Sequence, residues 1–277
     1  MTSSPKVVLV TGCSKGGIGY SLCEEYAAQG YIVYATARKL ESMNTFTSQS
    51  IHPLELDVLD DENTNQVVKT IIDKEGKVDI LVNNAGIMAA GAMLDQTVDS
   101  ARRAFETNVF SVFRLCKAVA KHMASRHSGT IVNIGSVVGE VTTPWNGMYS
   151  ATKAAVHMIT DTLYMECQPL GINVVLVAPG AVRSNIANTQ NGKFTLPEDS
   201  LYKNYVEHIM KRIVASQGSN SMDTREFAKI VVNETTQRSP RRYVTAGGNS
   251  GVFKLFGWLP KTMVLWFLWK MYTRTSK

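Results

Sequence analysis

The 277-residue sequence predicts a single α/β domain, a doubly wound parallel sheet, followed by a short hydrophobic tail. Three observations predict it. Short apolar runs alternate with amphipathic stretches along most of the chain, the pattern of strands feeding helices on both faces of a parallel sheet. A glycine-rich turn separates the first apolar run from the first amphipathic stretch. Hydrophobic residues make up 44% and charged residues 19%, the balance of a globular chain long enough to bury a full core.

The elements follow in order. Val7–Thr11, rich in β-branched residues, reads as the first strand and Gly19–Gln29 as the first helix. Ile32–Thr36 and His52–Asp57 read as strands, Glu62–Lys74 as a helix and Asp79–Asn83 as a strand. Ser100–His122 reads as one long helix, then Thr130–Ile134 as a strand, Tyr149–Cys167 as a helix and Ile172–Ala178 as a strand. A polar excursion from Ser184 to Ser221 follows, with Tyr202–Val214 as a helix within it; an excursion this long in a compact domain is usually functional. The domain is expected over residues 1–250 and the tail over residues 251–277.

Bulk features exclude some function classes. Cys13, Cys23, Cys116 and Cys167 are scattered without paired spacing, which argues against a disulfide framework and against a metal site. The start is polar up to Lys6 and shows no secretory signal. Charge is divided unevenly. Residues 1–200 hold 16 basic and 19 acidic residues, net −3, and residues 201–277 hold 13 basic and 4 acidic, net +9. No nucleic-acid motif accompanies the basic end, so no nucleic-acid partner is expected. That end is also apolar: Leu255–Trp269 carries three tryptophans, flanked or interrupted by Lys254, Lys261, Lys270 and Arg274. Fifteen residues broken by Pro260 are too few to span a bilayer. Either the segment lies in a membrane interface as a monotopic anchor, or it packs as a terminal helix over the substrate pocket or a neighbouring subunit.

The turn after the first strand, TGCSKGGIG at 11–19, places Gly12, Ser14, Lys15, Gly17, Ile18 and Gly19 before a helix N-terminus. Glycines there let a pyrophosphate reach backbone N–H groups and the helix dipole, so a dinucleotide site is expected rather than a plain tight turn. The second strand ends Ala35-Thr36-Ala37-Arg38-Lys39 without an acid to hold a ribose 2′-hydroxyl. Arg38, helped by Lys15, would hold a 2′-phosphate, which predicts NADP(H).

Tyr149 and Lys153 are four residues apart, about one helical turn, and share a face. A phenol ordinarily holds its proton to about pH 10, and a neighbouring cation lowers that value toward working pH. Ser136, thirteen residues upstream, supplies a hydroxyl that can hold a carbonyl oxygen. The three form proton-transfer machinery for reducing a ketone or oxidising an alcohol.

Together TGCSKGGIG, Asp57-Val58, Asn83-Asn84-Ala85-Gly86, Asn108, Ser136, Tyr149-Ser150-Ala151-Thr152-Lys153 and Pro179-Gly180 resemble the short-chain dehydrogenase/reductase family, over about residues 6–250. The glycine loop is one residue longer than the common form, and Ser184 stands where the family often has threonine. The resemblance implies a Rossmann-type fold. Asp57 and Val58 would meet the adenine, while Asn84, Ala85 and Gly86 would support the cofactor. Pro179, Gly180, Val182 and Ser184 would close on the nicotinamide. Lys153 would bind its ribose, and Asn108 would hold a water relaying protons to Lys153. It also implies a homo-oligomer, a dimer or tetramer paired through the helices bearing Asn108 and Tyr149. Within the family, TGCSKGGIG, YATAR and the basic apolar tail resemble the fungal 1-acyldihydroxyacetone-phosphate reductase group. That likeness implies a lipid-like ketone substrate and a catalytic domain on the cytosolic face of the endoplasmic reticulum and lipid droplets; a cytoplasmic enzyme is the alternative location. The alternatives for function are a reductase of steroid, retinoid or other hydrophobic ketones, and a non-catalytic NADPH-binding protein of lipid surfaces. Met93, Leu94, Val141 and Trp145 are expected to line an apolar substrate pocket. Arg183, Lys193, Lys203, Lys211 and Arg212 are candidates for a substrate phosphate or, for most of them, a solvated basic face.

Overall fold

A computed structural model describes residues 4–186 and 194–274. In chain order, β1 (Val7–Thr11), α1 (Ile18–Ala28), β2 (Ile32–Ala37), β3 (Ile51–Glu55), α2 (Asp61–Glu75) and β4 (Ile80–Asn83) form the first half. Then come α3 (Val98–Phe105), α4 (Ser111–Ser125), β5 (Gly129–Ile134), α5 (Gly147–Cys167), β6 (Ile172–Pro179) and β7 (Val182–Arg183). The chain continues through α6 (Val206–Ile213), β8 (Met222–Asp223), α7 (Thr224–Thr235), β9 (Tyr243–Ala246), α8 (Ser250–Phe256) and α9 (Lys261–Thr273).

Side-chain alternation dictates the layers. In β1, Val8 and Val10 enter one core while Val7 and Leu9 enter the other, as a period of two requires. A strand apolar on both faces needs helices above and below. On one face α1 and α7 supply Leu22, Tyr26, Phe227 and Val231. On the other, α2, α4 and α5 supply Val68, Leu115 and Val156. Among the described residues seven of the strands form the main sheet in the order β3-β2-β1-β4-β5-β6-β9, every neighbouring pair parallel, while β7 pairs with β8 apart from it. The order reverses beside β1, which opens a crevice at the carboxyl ends of β1 and β4. Local signals fix the helix ends. The Asp60 carboxylate accepts the Asn63 N–H at 2.9 Å at the start of α2, and Gly76 in the left-handed region ends it.

The helix expected over 100–122 runs further in both directions and contains one π-turn, Glu106–Phe110, between α3 and α4. Asn108 sits in that turn, and its amide grips the Ile87 N–H and C=O at 2.8 and 2.9 Å, a long-range pull that the helical period does not encode. Beyond Ser221 the short strand β8, the helix α7, capped by Asp223, and the edge strand β9 were not expected. The faces of α4 and α5 leave Phe113, Met158 and Met165 exposed, on the helices to which the resemblance assigns subunit pairing. All four cysteines are unpaired and buried.

The tail is a folded part of the structure. Phe253 of α8 and Val264 and Leu268 of α9 are buried against Val137, Val138 and Val141, and Tyr149 packs on the same cluster. The outer side of the tail carries Trp258 and Trp266, 82% and 63% exposed, with Met263, Phe267 and Met271. Among the described residues no helix is long and apolar enough to cross a membrane.

Candidate active site

A cavity of about 700 Å³ occupies the crevice. One end begins at the glycine loop. Gly12 has φ +72°, and a Cβ there would lie 2.8 Å from the Ala85 Cα, so only glycine fits. Gly19 is pressed against the Gly12 carbonyl and the Asn84 amide, where a Cβ would come within 2.5 Å of both. The Asn84 amide donates to the Thr11 and Gly12 carbonyls at 2.8 and 3.0 Å, which ties the loop to the end of β4. Gly12, Ser14, Gly17 and Ile18 line the cavity; Lys15 and Gly19 do not. Lys15 is exposed, and its backbone bonds to Ser42 and Asn185 hold the loop. Its expected contact with a 2′-phosphate is thus not prearranged. Gly16, at φ +77°, takes up that extra residue. Arg38 lines the cavity just past β2, followed around the rim by Asp57 and Val58. Asp57 is fixed by accepting the Leu59 N–H at 3.0 Å while its own N–H donates to Asn63. Asn84, Ala85 and Gly86 form the floor, with Pro179, Gly180, Val182 and Ser184 opposite.

The sequence-predicted catalytic residues converge in the middle. Tyr149 and Lys153 project into the cavity from α5, and the Lys153 ammonium lies 5.6 Å from the centroid of the Tyr149 ring. Lys153 donates to the Ile134 carbonyl at 2.8 Å, and burial lowers its pKa to about 8. Tyr149 departs from expectation. Burial pushes its phenol up to about 12, and only in part do the Arg212 charge and the Ser136 hydroxyl pull it back. The cation that pulls the Tyr149 phenol down is therefore Arg212, and not Lys153, one turn away, to which the spacing points. Ser136 sits at the end of β5. Its hydroxyl accepts the Val138 N–H and donates to the Pro179 carbonyl, both at 3.4 Å, distances weak enough to yield to a substrate oxygen.

Asn108 is fully buried, and both its amide hydrogens are spent, on Ile87 and on the Thr152 hydroxyl at 3.0 Å. Its side-chain amide hydrogens are therefore already engaged and not available to a relay water. Two residues escaped the sequence reading. His157, one turn after Lys153, accepts the Ser136 N–H on Nε2 at 3.3 Å, and burial with the Lys153 charge holds its pKa near about 4. It is a neutral brace for the serine; the Lys153–His157 spacing on one face was the signal. Asn146, three residues before Tyr149, lines the cavity fully buried, with neither side-chain polar atom partnered among the described residues.

The substrate end needs correction. Met93, Leu94, Val141 and Trp145 do not line the cavity. Met93 and Leu94 are exposed, and Val141 packs under the tail. Trp145 adopts φ +63° and turns away to pack on Tyr202, Tyr205 and Trp269. The apolar lining instead comes from Val137, Val138, Met88, Ile186 and Phe253, with Tyr272 of α9 at the mouth. Of the phosphate candidates, Arg183, Lys203 and Lys211 are exposed and away from the cavity, Lys193 lies outside the described residues, and Arg212 lines it.

The sequence profile of the family described as short chain dehydrogenase matches residues 6–193. The chain is 35% identical over 267 residues to the short-chain dehydrogenase srdE of Neurospora crassa, covering 95% of this chain and 91% of that protein. It is 34% identical over 210 residues to an NADPH-dependent 1-acyldihydroxyacetone phosphate reductase of Schizosaccharomyces pombe, covering 74% and 71%. A short-chain dehydrogenase structure from Streptomyces avermitilis superposes with a TM-score of 0.79 at 32% identity, covering 91% of each chain. With the cavity built on the same loop, serine, tyrosine and lysine that the sequence singled out, the chain belongs to the short-chain dehydrogenase family of oxidoreductases.

Proposed function

We propose that this protein is an NADPH-dependent reductase of a lipid-like ketone, of which 1-acyldihydroxyacetone phosphate is the type, working at a membrane or lipid-droplet surface. The observation that carries the reading is the tail. Phe253 and Tyr272 form part of the cavity wall beside Tyr149, while Trp258, Trp266 and Phe267 remain exposed on the outer side. One short element thus joins an apolar lining to an apolar, basic exterior. With 13 residues α9 is about 20 Å long, short of the roughly 30 Å hydrocarbon core, which suits a helix lying in the interface.

The residues fit NADP(H). Gly12 and Gly17 line the cavity just before α1, where a pyrophosphate would meet backbone N–H groups and the helix N-terminus, and Arg38 stands at the rim with no acid at the end of β2 to repel a 2′-phosphate. The likeness to the Schizosaccharomyces pombe reductase, named as NADPH-dependent, supports the same choice. When bound, NADPH supplies the hydride that reaches the carbonyl carbon. The chain supplies the rest. The Ser136 hydroxyl holds the carbonyl oxygen, Tyr149 gives it the phenolic proton, and Lys153, cationic below about pH 8, stabilises the phenolate left behind. Asn108 keeps α5 in register through Thr152.

Arg38→Ala is expected to raise the KM for NADPH about tenfold and to leave the KM for NADH within about twofold, because only one cofactor carries the extra phosphate. Equal changes for both would place the 2′-phosphate elsewhere. The protein should float with vesicles containing phosphatidylserine, and a Trp258→Glu, Trp266→Glu variant should stay behind. Wild-type protein left unbound would remove the surface from the proposal while leaving the reductase reading intact.

A further inference from the structure

Arg212 is the one basic phosphate candidate, among the described residues, that lines the catalytic cavity. It is held on three sides. Ile209 and Ile213, both fully buried beside Trp145, anchor α6. The Arg212 Nε–H donates to the buried Thr143 hydroxyl at 2.9 Å. The Tyr272 ring stands 5.9 Å from the guanidinium carbon, within cation–π range. Among the described residues Nε is the only guanidinium nitrogen with a hydrogen-bond partner, and no acidic residue there pairs with the group. The two terminal nitrogens, with four N–H donors, are left for the cavity. Arg212 is half-buried; a guanidinium does not shed its charge, and taking one partly out of water without an anion is costly. Asn146, fully buried, lines the same cavity, and its amide has no hydrogen-bond partner among the described residues.

We propose that Arg212, assisted by Asn146, forms an oxyanion subsite at the substrate end, so that the preferred ketone carries a phosphate or carboxylate near its carbonyl. This rests on the reductase reading above and narrows its substrate class. The geometry suits such a role. Nε is committed to Thr143, so the outer edge of the guanidinium faces the cavity with two parallel N–H bonds available to one anion. The same charge sits close enough to influence Tyr149, so a bound anion and the reacting carbonyl would lie in the same half of the cavity.

The test compares 1-acyldihydroxyacetone phosphate, the same ester without its phosphate, and a keto acid of equal chain length, in wild type, Arg212→Met and Arg212→Lys. The ratio of kcat/KM for either charged ketone over the neutral one should fall about 100-fold in Arg212→Met, mostly through KM, and recover in part in Arg212→Lys. The Kd for NADPH should stay within about threefold. A lysophosphatidate of matching chain length should bind wild type by calorimetry at least about tenfold more tightly than the corresponding monoacylglycerol, a readout independent of turnover and of the variants folding. If lysophosphatidate binds while no ketone is reduced, the subsite stands and the reductase reading fails. Equal losses for charged and neutral ketones, with an alkaline shift of the pH profile, would make Arg212 a tuner of Tyr149 and overturn the proposal. A large rise in the NADPH Kd, or equal wild-type binding of the two lipids, would also overturn it.

Discussion

Replacing Tyr149 by Phe is expected to lower the rate of ketone reduction by about 10³-fold or more, while the Kd for NADPH stays within about threefold. The substitution removes one oxygen and keeps the ring, which packs on Val137, Val138 and Phe253, so the fold should hold. The expected size follows from the role. In reduction the forming alkoxide needs a proton at the moment negative charge develops, and Tyr149 is the hydroxyl in the cavity whose pKa is balanced between burial and the Arg212 charge. With a value pushed up to about 12 before ligands bind, the phenol is protonated at neutral pH. That is the state reduction requires and the reverse of what alcohol oxidation requires. Oxidation should accordingly be slow at neutral pH and rise toward alkaline pH. Initial rates in both directions, with NADPH binding followed by fluorescence, check this; turnover retained in Tyr149→Phe would remove the proton donor from the mechanism.

Lys153→Met should cost about 10²-fold in kcat/KM and abolish its pH dependence near neutrality. Burial lowers the lysine to about 8 from its ordinary 10.5, so the cation is present below about pH 8 and lost above it. Wild-type kcat/KM for reduction should therefore fall as pH rises through about 8, and the methionine variant should be slow and flat. Stability gives an independent sign. Between about pH 8 and 10.5 the unfolded chain holds a proton on Lys153 that the folded chain does not. Wild type should thus gain stability relative to Lys153→Met as pH rises through that window. A rate limb that persists unchanged in Lys153→Met would assign it to another group.

The parts of the molecule legible in the sequence are those whose physics is local. The first strand, the glycine turn and the first helix lie within 22 consecutive residues, Val7 to Ala28, and each is signalled by neighbours in the chain. Tyr149 and Lys153 are related by a helical turn, and Ser136 by a strand end, so the catalytic group was legible as well. What escaped depends on distant partners. The Trp145 side chain was expected in the pocket, but its left-handed backbone sends it to Tyr205 and Trp269, more than fifty residues away. Arg212 is one of five basic candidates for a substrate phosphate, and what the sequence does not hold is what singles it out, the docking of α6 by Ile209 and Ile213 and the Tyr272 ring beside the guanidinium. For the tail, the reading of a terminal helix packed over the pocket agrees with Val264 and Leu268, which are buried against the domain; Trp266 on the outer side is exposed, and the membrane reading stays a proposal. The Asn108 π-turn answers to Ile87, not to any neighbour on its own helix.

The most direct test of the central claim is isotopic. Wild type and Tyr149→Phe are incubated with NADPH carrying deuterium at the transferable position and a long-chain acyl ketone in vesicles, and the product is read by mass spectrometry. The account predicts one deuterium on the new carbinol carbon with wild type and no such product with Tyr149→Phe. Cofactor oxidation that leaves the ketone unlabelled, or equal labelling by the variant, would contradict it.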